Sequence, residues 1–347
     1  MKILVINVFY YPLVGGGAEI TIRNLYEGLS ERGHDIYVLT FTDKSGFEEK
    51  INGVKIYREK IPNLYLPYFH DKRKPNSLIR RFWHIIDVYN PISGKIVDFY
   101  VEKLKPDIIV CHNIHGWSPS VWQVARRKSV PLVQALHDLY LLCPTSMFRN
   151  NKACKTRCKI CSIMRLPHKF LSNNVSAVVG ISNFILEKFS SYGYFKKTPI
   201  KKVIHNARNL AISEKKPRKY DGNIHFGFIG TIGPNKGIEV LLEAYLKVRK
   251  PNFKLFVAGS GDIKYVNYLK GKFYDDSIIW MGRVKPDEFF RKVDVVIVPS
   301  IWYENFPGVV VESLAYGIPV IGSRIGGIPE MIKDGLNGVL FEAGSID

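Results

Sequence analysis

Two glutamates, Glu304 and Glu312, lie eight residues apart in the otherwise apolar stretch WYENFPGVVVE. Burying a carboxylate is costly, so an apolar segment that carries two of them indicates a site that uses them. Pro307 suits the first position of a helix, which places Glu304 in the preceding loop and Glu312 inside the helix. The two therefore do not share a helix face, and we expect them at different depths of one cleft wall.

The start of that helix lies between the two carboxylates, where free N–H groups can hold an anion. Carboxylates accept bidentate hydrogen bonds from vicinal hydroxyls, which sugars and ribose present. A ligand with hydroxyls at both ends and phosphates between them would fill this arrangement. A nucleotide sugar has that chemistry.

Three further motifs follow expected strands. PLVGGGAE, residues 12–19, places glycines before a helix, where the backbone can approach a ligand closely. GFIGTIGPNKG places Lys236 where a helix opens, so that its charge adds to the helix dipole toward a phosphate. LHD places His137 at the end of a buried strand. The alternatives are a tight loop without a ligand, a capping loop with a solvated lysine and a structural histidine. Neither glycine loop matches the dinucleotide or Walker pattern.

Four of the five cysteines cluster in the sequence, whereas Cys111 ends an apolar run and fits a core position. The clustered ones are Cys143, Cys154, Cys158 and Cys161. Disulfides are not expected in a cytoplasmic chain, and the spacing resembles a four-thiolate metal site, so we predict structural zinc at this cluster. Nearby basic residues would favour the thiolate form. A loop of free or redox-active thiols is the alternative.

Both halves of the chain alternate strand and helix patterns, which predicts an α/β fold of two Rossmann-like, doubly wound parallel-sheet domains. Residues 207–223, ARNLAISEKKPRKYDGN, lack periodicity and form a candidate linker. We therefore predict an N-terminal domain over residues 1–206 and a C-terminal domain over residues 207–347. Ligands of open parallel sheets bind at the carboxyl ends of the strands, so a cleft between the domains is the expected site.

The formal net charge of +19 indicates a polyanionic partner, such as a phosphorylated substrate or an anionic membrane surface. The alternative is a Lys-rich surface without a special partner. Residues 72–81 and 147–169 carry basic side chains and no acidic ones. Nucleic acid is not expected as a partner, because the interleaved aromatic and basic pattern of a known module is missing. The chain has no apolar run of membrane-spanning length and no signal-peptide pattern, so we predict a cytoplasmic protein, peripheral at the inner face of a membrane.

Several segments together resemble the family 4 glycosyltransferases, which are retaining, nucleotide-sugar-dependent enzymes of the two-domain GT-B fold. The matching segments are GGGAE, RGHDIYVLT, LHD, GTIGPNKG, VAGSGD, MGRV, VPSIWYENFPGVVVESLAYGIPVIGS and GGIPEMIKDGLNGVLF. They extend over nearly the whole chain, and the Glu-x7-Glu element with its flanks is highly specific. The cysteine-rich insertion after LHD resembles one carried by a subset of the family.

The resemblance implies transfer of a sugar from a UDP-, GDP- or ADP-linked donor to a hydroxyl acceptor, without a catalytic metal. The acceptor would belong to cell-surface glycan, lipid-linked saccharide or polysaccharide synthesis. If it is lipid-linked, the basic segments of the N-terminal domain would hold the enzyme at an anionic membrane surface.

The resemblance also implies that the N-terminal domain is the acceptor side, that the C-terminal domain binds the donor, and that individual residues have particular roles. Glu312 would hold the ribose hydroxyls and Glu304 would contact the donor sugar. Lys236 would neutralise the diphosphate leaving group, and His137 would lie beside the anomeric carbon, so His137, Glu304 and Lys236 are the expected catalytic residues. The other expected donor contacts are Gly16, Gly17, Arg283, Val284, Asn305, Phe306, Pro307 and Gly308.

Two departures from the family pattern matter. Members commonly carry an arginine where this chain has Thr231, so the phosphate charge is expected to rest on Lys236, backbone amides and the helix dipole. The family also continues past GVLFEAG with further helices, so the C-terminal domain is expected to be truncated. Both departures motivate an alternative, a non-catalytic homologue or partner subunit that binds a nucleotide sugar or a glycan.

Overall fold

The computed structural model describes residues 1–67, 75–208, 210 and 221–347. Most of the predicted linker, residues 209 and 211–220, lies outside the described residues, as does the start of the basic segment 72–81. Among the described helices, none combines the length and the apolar character needed to cross a membrane.

The chain divides into two compact units. The first contains Met1–Met147 and Lys155–Asn206, and the second contains Phe148–Cys154 and Ala207–Asp347. The prediction placed residues 148–154 in the N-terminal domain, whereas the structure groups this short segment with the second unit.

Strands and helices alternate along most of the chain, as the apolar pattern predicts. The strands are β1 (Lys2–Ile6), β2 (Asp35–Thr42), β3 (Phe47–Ile51), β4 (Val54–Lys60), β5 (Ile108–Cys111), β6 (Leu132–Leu136), β7 (Phe148–Arg149), β8 (Lys152–Ala153), β9 (Ala177–Gly180), β10 (Ile200–Val203), β11 (Ile224–Ile232), β12 (Phe253–Gly261), β13 (Ile278–Gly282), β14 (Val295–Val298), β15 (Val320–Ser323) and β16 (Gly338–Phe341). The helices are α1 (Gly17–Glu31), α2 (Ser77–Val88), α3 (Pro91–Leu104), α4 (Ser120–Arg127), α5 (Lys159–Met164), α6 (Leu166–Leu171), α7 (Asn183–Ser191), α8 (Ile238–Val248), α9 (Ile263–Lys272), α10 (Pro286–Phe290) and α11 (Gly308–Ala315).

The first unit is built on a sheet that has eight strands within the described residues, in the order β10-β9-β6-β5-β1-β2-β4-β3. Neighbouring strands are parallel except for the edge strand β3, which is antiparallel to β4. Leu4, Val5 and Ile6 of the central strand β1 are fully buried, as expected for a parallel sheet covered on both faces. The strand order reverses at β1, and ligands of such sheets bind at the carboxyl ends near the reversal.

The second unit is built on a parallel sheet in which the described residues form six strands, in the order β13-β12-β11-β14-β15-β16. Its order reverses at β11, between β12 and β14. The loops that follow β11, β12, β13 and β14 all leave the carboxyl edge of the sheet. Apart from Gly16 and Gly17 of the first unit, the residues expected to bind the donor lie in these loops and in α11.

Gly237 is required by the turn that connects β11 to α8. Its φ angle is 69°, and a Cβ atom there would lie 1.8 Å from the carbonyl oxygen of Pro299. We expect Gly237→Ala to lower the free energy of unfolding by about 2 kcal/mol or more, because it adds both backbone strain and a clash. Urea denaturation followed by circular dichroism measures this change.

Gly271→Ala is the matched control, because this exposed glycine in α9 has no atom within 4 Å of an added Cβ. We expect that variant to be neutral or slightly more stable than the wild type. Equal effects of the two substitutions would contradict the assignment of strain to Gly237.

Candidate functional site

The carboxyl edge of the second sheet brings Lys236 and Glu304 together. Lys236 ends a 3-10 turn after β11, and Glu304 lies in the loop between β14 and α11. Because β11 and β14 are neighbours, the loops that follow them meet at the same edge. The Nζ atom of Lys236 lies 2.5 Å from Oε1 of Glu304, which makes a short ion pair.

Glu304 is almost fully buried, with 8% of its surface exposed. The Ser300 hydroxyl and the Trp302 indole N–H donate hydrogen bonds to the same carboxylate oxygen, at 2.9 and 2.7 Å. The Lys236 ammonium also lies 5.0 Å from the centre of the Trp302 ring. Burial alone would raise the pKa of Glu304, but Lys236 and the hydrogen bonds outweigh burial and lower it. The group is therefore held as a carboxylate.

Glu312 has a different protein partner from Glu304. Its predicted contact with ribose, and that of Glu304 with the donor sugar, stay predictions. It lies in α11, and its Oε1 atom is 3.4 Å from Nε of Arg208. Burial raises the pKa of Glu312, while the positive charge of Arg208 opposes that rise. Sequence reasoning missed Arg208, because the segment around it shows neither periodicity nor a motif.

The start of α11 lies between these two carboxylates along the chain. The helix begins at Gly308, so Pro307 precedes it, one residue earlier than the predicted helical position. Proline has no polar side-chain group that could cap the first turn. The backbone N–H of Val310 donates to the Pro307 carbonyl at 3.1 Å, which leaves the N–H groups of Gly308 and Val309 for another partner. Asn305 and Phe306 lie in the preceding loop and are partly buried.

An open concavity of about 300 Å³ lies at the ends of β11, β12 and β13. Its lining residues are Ile229, Gly230, Thr231, Gly259, Ser260, Arg283 and Val284. The Nε atom of Arg283 donates a hydrogen bond of 2.8 Å to the Ser260 hydroxyl, which fixes the guanidinium at this edge. Thr231 therefore lines the same concavity as Arg283 and Val284, the residues expected near the nucleotide base.

The hairpin of β7 and β8 packs on the loop that carries Glu304. The ring of Phe148 meets that of Trp302 edge to face, with 6.4 Å between the centroids. The Tyr303 hydroxyl donates a hydrogen bond of 3.1 Å to the carbonyl of Cys154. Part of the cysteine-rich segment therefore supports the glutamate loop within the second unit.

In the first unit, His137 follows β6 and belongs to a chain of buried hydrogen bonds. Its Nε2 atom lies 2.8 Å from Nδ1 of His112, whose Nε2 atom lies 2.7 Å from the Tyr26 hydroxyl. Burial lowers the pKa of His137 to about 4. His137 is therefore a neutral imidazole at physiological pH, held in orientation by His112.

The glycine loop lies close to the segment that carries His137. Helix α1 begins at Gly17, and the backbone N–H of Gly16 donates a hydrogen bond of 2.8 Å to the buried Glu19 carboxylate. Burial raises the pKa of Glu19, and the nearby Asp138 raises it further. Gly16, Gly17 and His137 thus share the carboxyl edge of the first sheet.

A buried polar cluster that the sequence did not predict supports the LHD segment. The Tyr140 hydroxyl donates a hydrogen bond to Asp87, and the Arg165 guanidinium lies 4.4 Å from the Tyr140 ring centre. Burial raises the pKa of Asp87 to about 7 although Arg165 opposes this. Burial likewise raises the pKa of Asp138 to about 6. Asp87, Tyr140 and Arg165 lie outside any recognisable motif, since they come from α2, the loop after β6 and the residue that precedes α6.

The cysteines do not form a metal-binding group in the described part of the chain, where no three His, Cys, Asp or Glu side chains are suitably placed. The sulfur atoms of Cys143 and Cys161 contact each other at 3.3 Å, and the backbone N–H of Cys161 donates to Cys158 Sγ at 3.4 Å. Cys154 groups with the second unit. Structural zinc therefore stays a prediction from the spacing alone.

Two family models match the chain in succession. The model described as Glycosyltransferase Family 4 matches residues 15–211, and the model described as Glycosyl transferases group 1 matches residues 211–347. A curated relative, an uncharacterized 42.6 kDa protein in the cps region of Klebsiella pneumoniae, is 32% identical over 336 residues. That match covers 96% of this chain and 88% of the relative.

Solved structures with the same fold are more distant in sequence. Sucrose-phosphate synthase from Thermosynechococcus elongatus matches with a TM-score of 0.73 at 18% identity, covering 99% of this chain and 86% of its own. HepE of Anabaena, solved in complex with UDP, matches with a TM-score of 0.70 at 19% identity, covering 100% and 87%. The predicted two-domain GT-B fold is confirmed.

We expect the His137 ring to stay neutral as the pH falls from 8 to about 5, because its pKa lies near 4. A folded-state pKa below the ordinary value contributes stability that is complete above about pH 6.5 and is lost as the pH falls toward 4. NMR of chain labelled with 15N-histidine, with His137→Asn to assign the signal, measures the titration directly. A His137 midpoint near 6.5 would overturn this expectation.

Proposed function

We propose that this chain, which belongs to glycosyltransferase family 4 and is a glycosyltransferase, moves a sugar from a nucleoside diphosphate sugar to a hydroxyl acceptor with retention of anomeric configuration. The observation that carries the proposal is the arrangement of Lys236, Glu304 and Glu312 around the first turn of α11. It offers a cation and free amides to a diphosphate, and carboxylates to hydroxyls on either side of it.

Four parts of the donor would each be held by a different group. Glu312 would accept hydrogen bonds from the ribose hydroxyls, and Glu304 would accept them from the sugar. The uncapped first turn of α11 would receive the diphosphate between them. The concavity that contains Arg283 and Val284 would hold the base. Because the structurally similar HepE was solved with UDP bound, a uridine-linked donor is the first choice for testing.

Lys236 would stabilise the leaving group. During transfer the bond between the anomeric carbon and the diphosphate oxygen breaks, and its electron pair goes to the diphosphate. The acceptor oxygen forms the new bond to that carbon and gives its proton to an oxygen of the departing diphosphate. Positive groups that are already in place stabilise the developing charge without reorganisation. We propose that Lys236 and the start of α11 do so without a catalytic metal. The role of His137 stays a prediction from the resemblance.

One experiment tests the function and the division of labour between the two glutamates. The purified chain is mixed with UDP-, GDP- and ADP-linked sugars in the presence of EDTA, and sugar transfer, donor hydrolysis and nucleoside diphosphate binding are measured. We expect turnover with one donor class. Glu312→Gln should weaken nucleotide binding about tenfold, because it removes a charged hydrogen-bond acceptor. Glu304→Gln should lower turnover about tenfold or more, with little change in nucleotide affinity.

Glu288→Gln is the control, since this exposed residue pairs with nearby Lys292 on the surface of the second unit. Unchanged binding and transfer in both site variants would show that the two roles are wrong. Saturable nucleotide binding by the wild type without turnover of any donor would favour the non-catalytic alternative, which Thr231 motivates. If turnover is seen without EDTA and is lost when EDTA is added, the reaction requires a metal.

We further propose that α2 attaches the protein to an anionic membrane surface, where a lipid-linked acceptor would reside. Leu78, Phe82 and Ile85 recur at helical spacing, and each is more than half exposed. The opposite face is buried through Trp83 and Asp87. An exposed apolar stripe flanked by arginines at positions 80 and 81 is typical of helices that lie in the membrane interface.

Co-sedimentation with vesicles tests this surface. We expect the wild type to bind phosphatidylglycerol vesicles more tightly than phosphatidylcholine vesicles. Phe82→Glu should reduce binding to the anionic vesicles about tenfold. It removes apolar area that would be buried in the membrane, and it adds a negative charge that the anionic lipids repel. Ile263→Glu is the matched control, since Ile263 is an exposed apolar residue of the second unit. Equal binding to both vesicle types, or equal losses in both variants, would exclude α2 as the membrane surface.

A further inference from the structure

Arg208 occupies an unusual position at the start of α11. A Cβ atom on Gly308 would lie 2.4 Å from Nη2, 2.8 Å from Nε and 2.9 Å from Cζ of Arg208. The guanidinium therefore packs directly on the first residue of the helix. A side chain at position 308 would displace the guanidinium from this place.

A cation at the N-terminus of a helix is electrostatically unfavourable, since that end carries the positive part of the helix dipole. Helix starts ordinarily attract acidic groups instead. Glu312, one turn further along α11, compensates in part through the 3.4 Å contact with Nε of Arg208. The side chain of Arg208 is nevertheless only 9% exposed, so its charge is largely removed from water.

The same arrangement becomes favourable when a polyanion is present. A guanidinium and the free N–H groups of a first turn both donate to phosphate oxygens, and arginine does so with two parallel donors. Like Arg208, two other cations described at this edge have protein partners: Lys236 pairs with Glu304, and Arg283 donates to Ser260. Thr231 brings a hydroxyl and no charge.

We propose that Arg208 is a donor-binding residue that contacts the diphosphate, and that Glu312 holds it in position until the donor arrives. The inference rests on the proposed function, because it requires a nucleoside diphosphate at the start of α11. When the ribose hydroxyls occupy Glu312, the guanidinium turns from the carboxylate to the phosphates. Arg208 lies two residues after Asn206, where the first unit ends, so the connecting segment itself supplies a part of the donor site.

The test asks whether Arg208 contributes to binding of the phosphates or of the ribose. The wild type is titrated by calorimetry with UDP, GDP and ADP, and then with the nucleoside of the diphosphate that binds. We expect Arg208→Gln to weaken diphosphate binding about tenfold to a hundredfold, and nucleoside binding by less than about threefold. The steepness with which added salt weakens diphosphate binding should also decrease, because one charge contact is lost.

Two further variants keep the outcome interpretable. Arg249→Gln removes the same charge from a surface ion pair with Asp275 and should leave both affinities unchanged. Arg208→Lys keeps the charge but loses the two parallel donors, so it should recover part of the diphosphate affinity. It also serves as the test variant if Arg208→Gln does not fold, and an affinity equal to that of the wild type would then overturn the proposal.

Equal losses for diphosphate and nucleoside would show that Arg208 merely positions Glu312, and unchanged affinities would show that it contributes nothing; either result overturns the inference. A wild type that binds none of the three diphosphates would instead overturn the proposed function.

Discussion

The short ion pair between Lys236 and Glu304 is the interaction on which the second unit's site depends. A carboxylate this deeply buried is tolerated only when donors surround it, and the ammonium, the Ser300 hydroxyl and the Trp302 indole all converge on one oxygen. The parallel pairing of β11 with β14 makes this possible, since it brings together two loops that are 68 residues apart. Sheet order therefore determines which charges can meet.

The first unit also buries polar side chains at its site, but these are neutral. His137, His112 and Tyr26 form a buried hydrogen-bonded chain in which burial suppresses protonation of both imidazoles. Such a chain fixes the orientation of a ring without the cost of burying a charge. One unit thus presents an orienting network of neutral rings, and the other presents paired charges next to an uncapped helix.

The sequence predicts the repeated strand-and-helix elements of this structure. Buried parallel strands such as β1 and β14 are continuous apolar runs bounded by turn residues, and their pattern locates both sheets and both site edges. The sequence motifs also locate Lys236 after β11, Glu304 after β14 and Glu312 in the helix that follows. The edge strand β3 is exposed and charged and lacks a clear apolar alternation, so the sequence does not indicate the β3–β4 hairpin.

The sequence pattern does not indicate contacts between residues that are far apart in the chain. Arg208 lies in a segment without periodicity, and its meaning depends on Gly308, about a hundred positions later. The Asp87, Tyr140 and Arg165 cluster likewise joins residues from separate elements. Local patterns report how a residue sits on its own element, but not which distant side chain fills the space beside it.

The β7–β8 hairpin has a consequence for how the protein can be divided. Through Phe148 and the Cys154 carbonyl it contacts Trp302 and Tyr303, although it is separated from them in the chain by part of the first unit. A fragment cut at Asn206 would leave the Tyr303 hydroxyl without this acceptor and one edge of the Trp302 ring open to water. Chimeras that exchange C-terminal halves between relatives inherit this segment from the wrong parent. A working exchange must transplant residues 148–154 together with the half that they support.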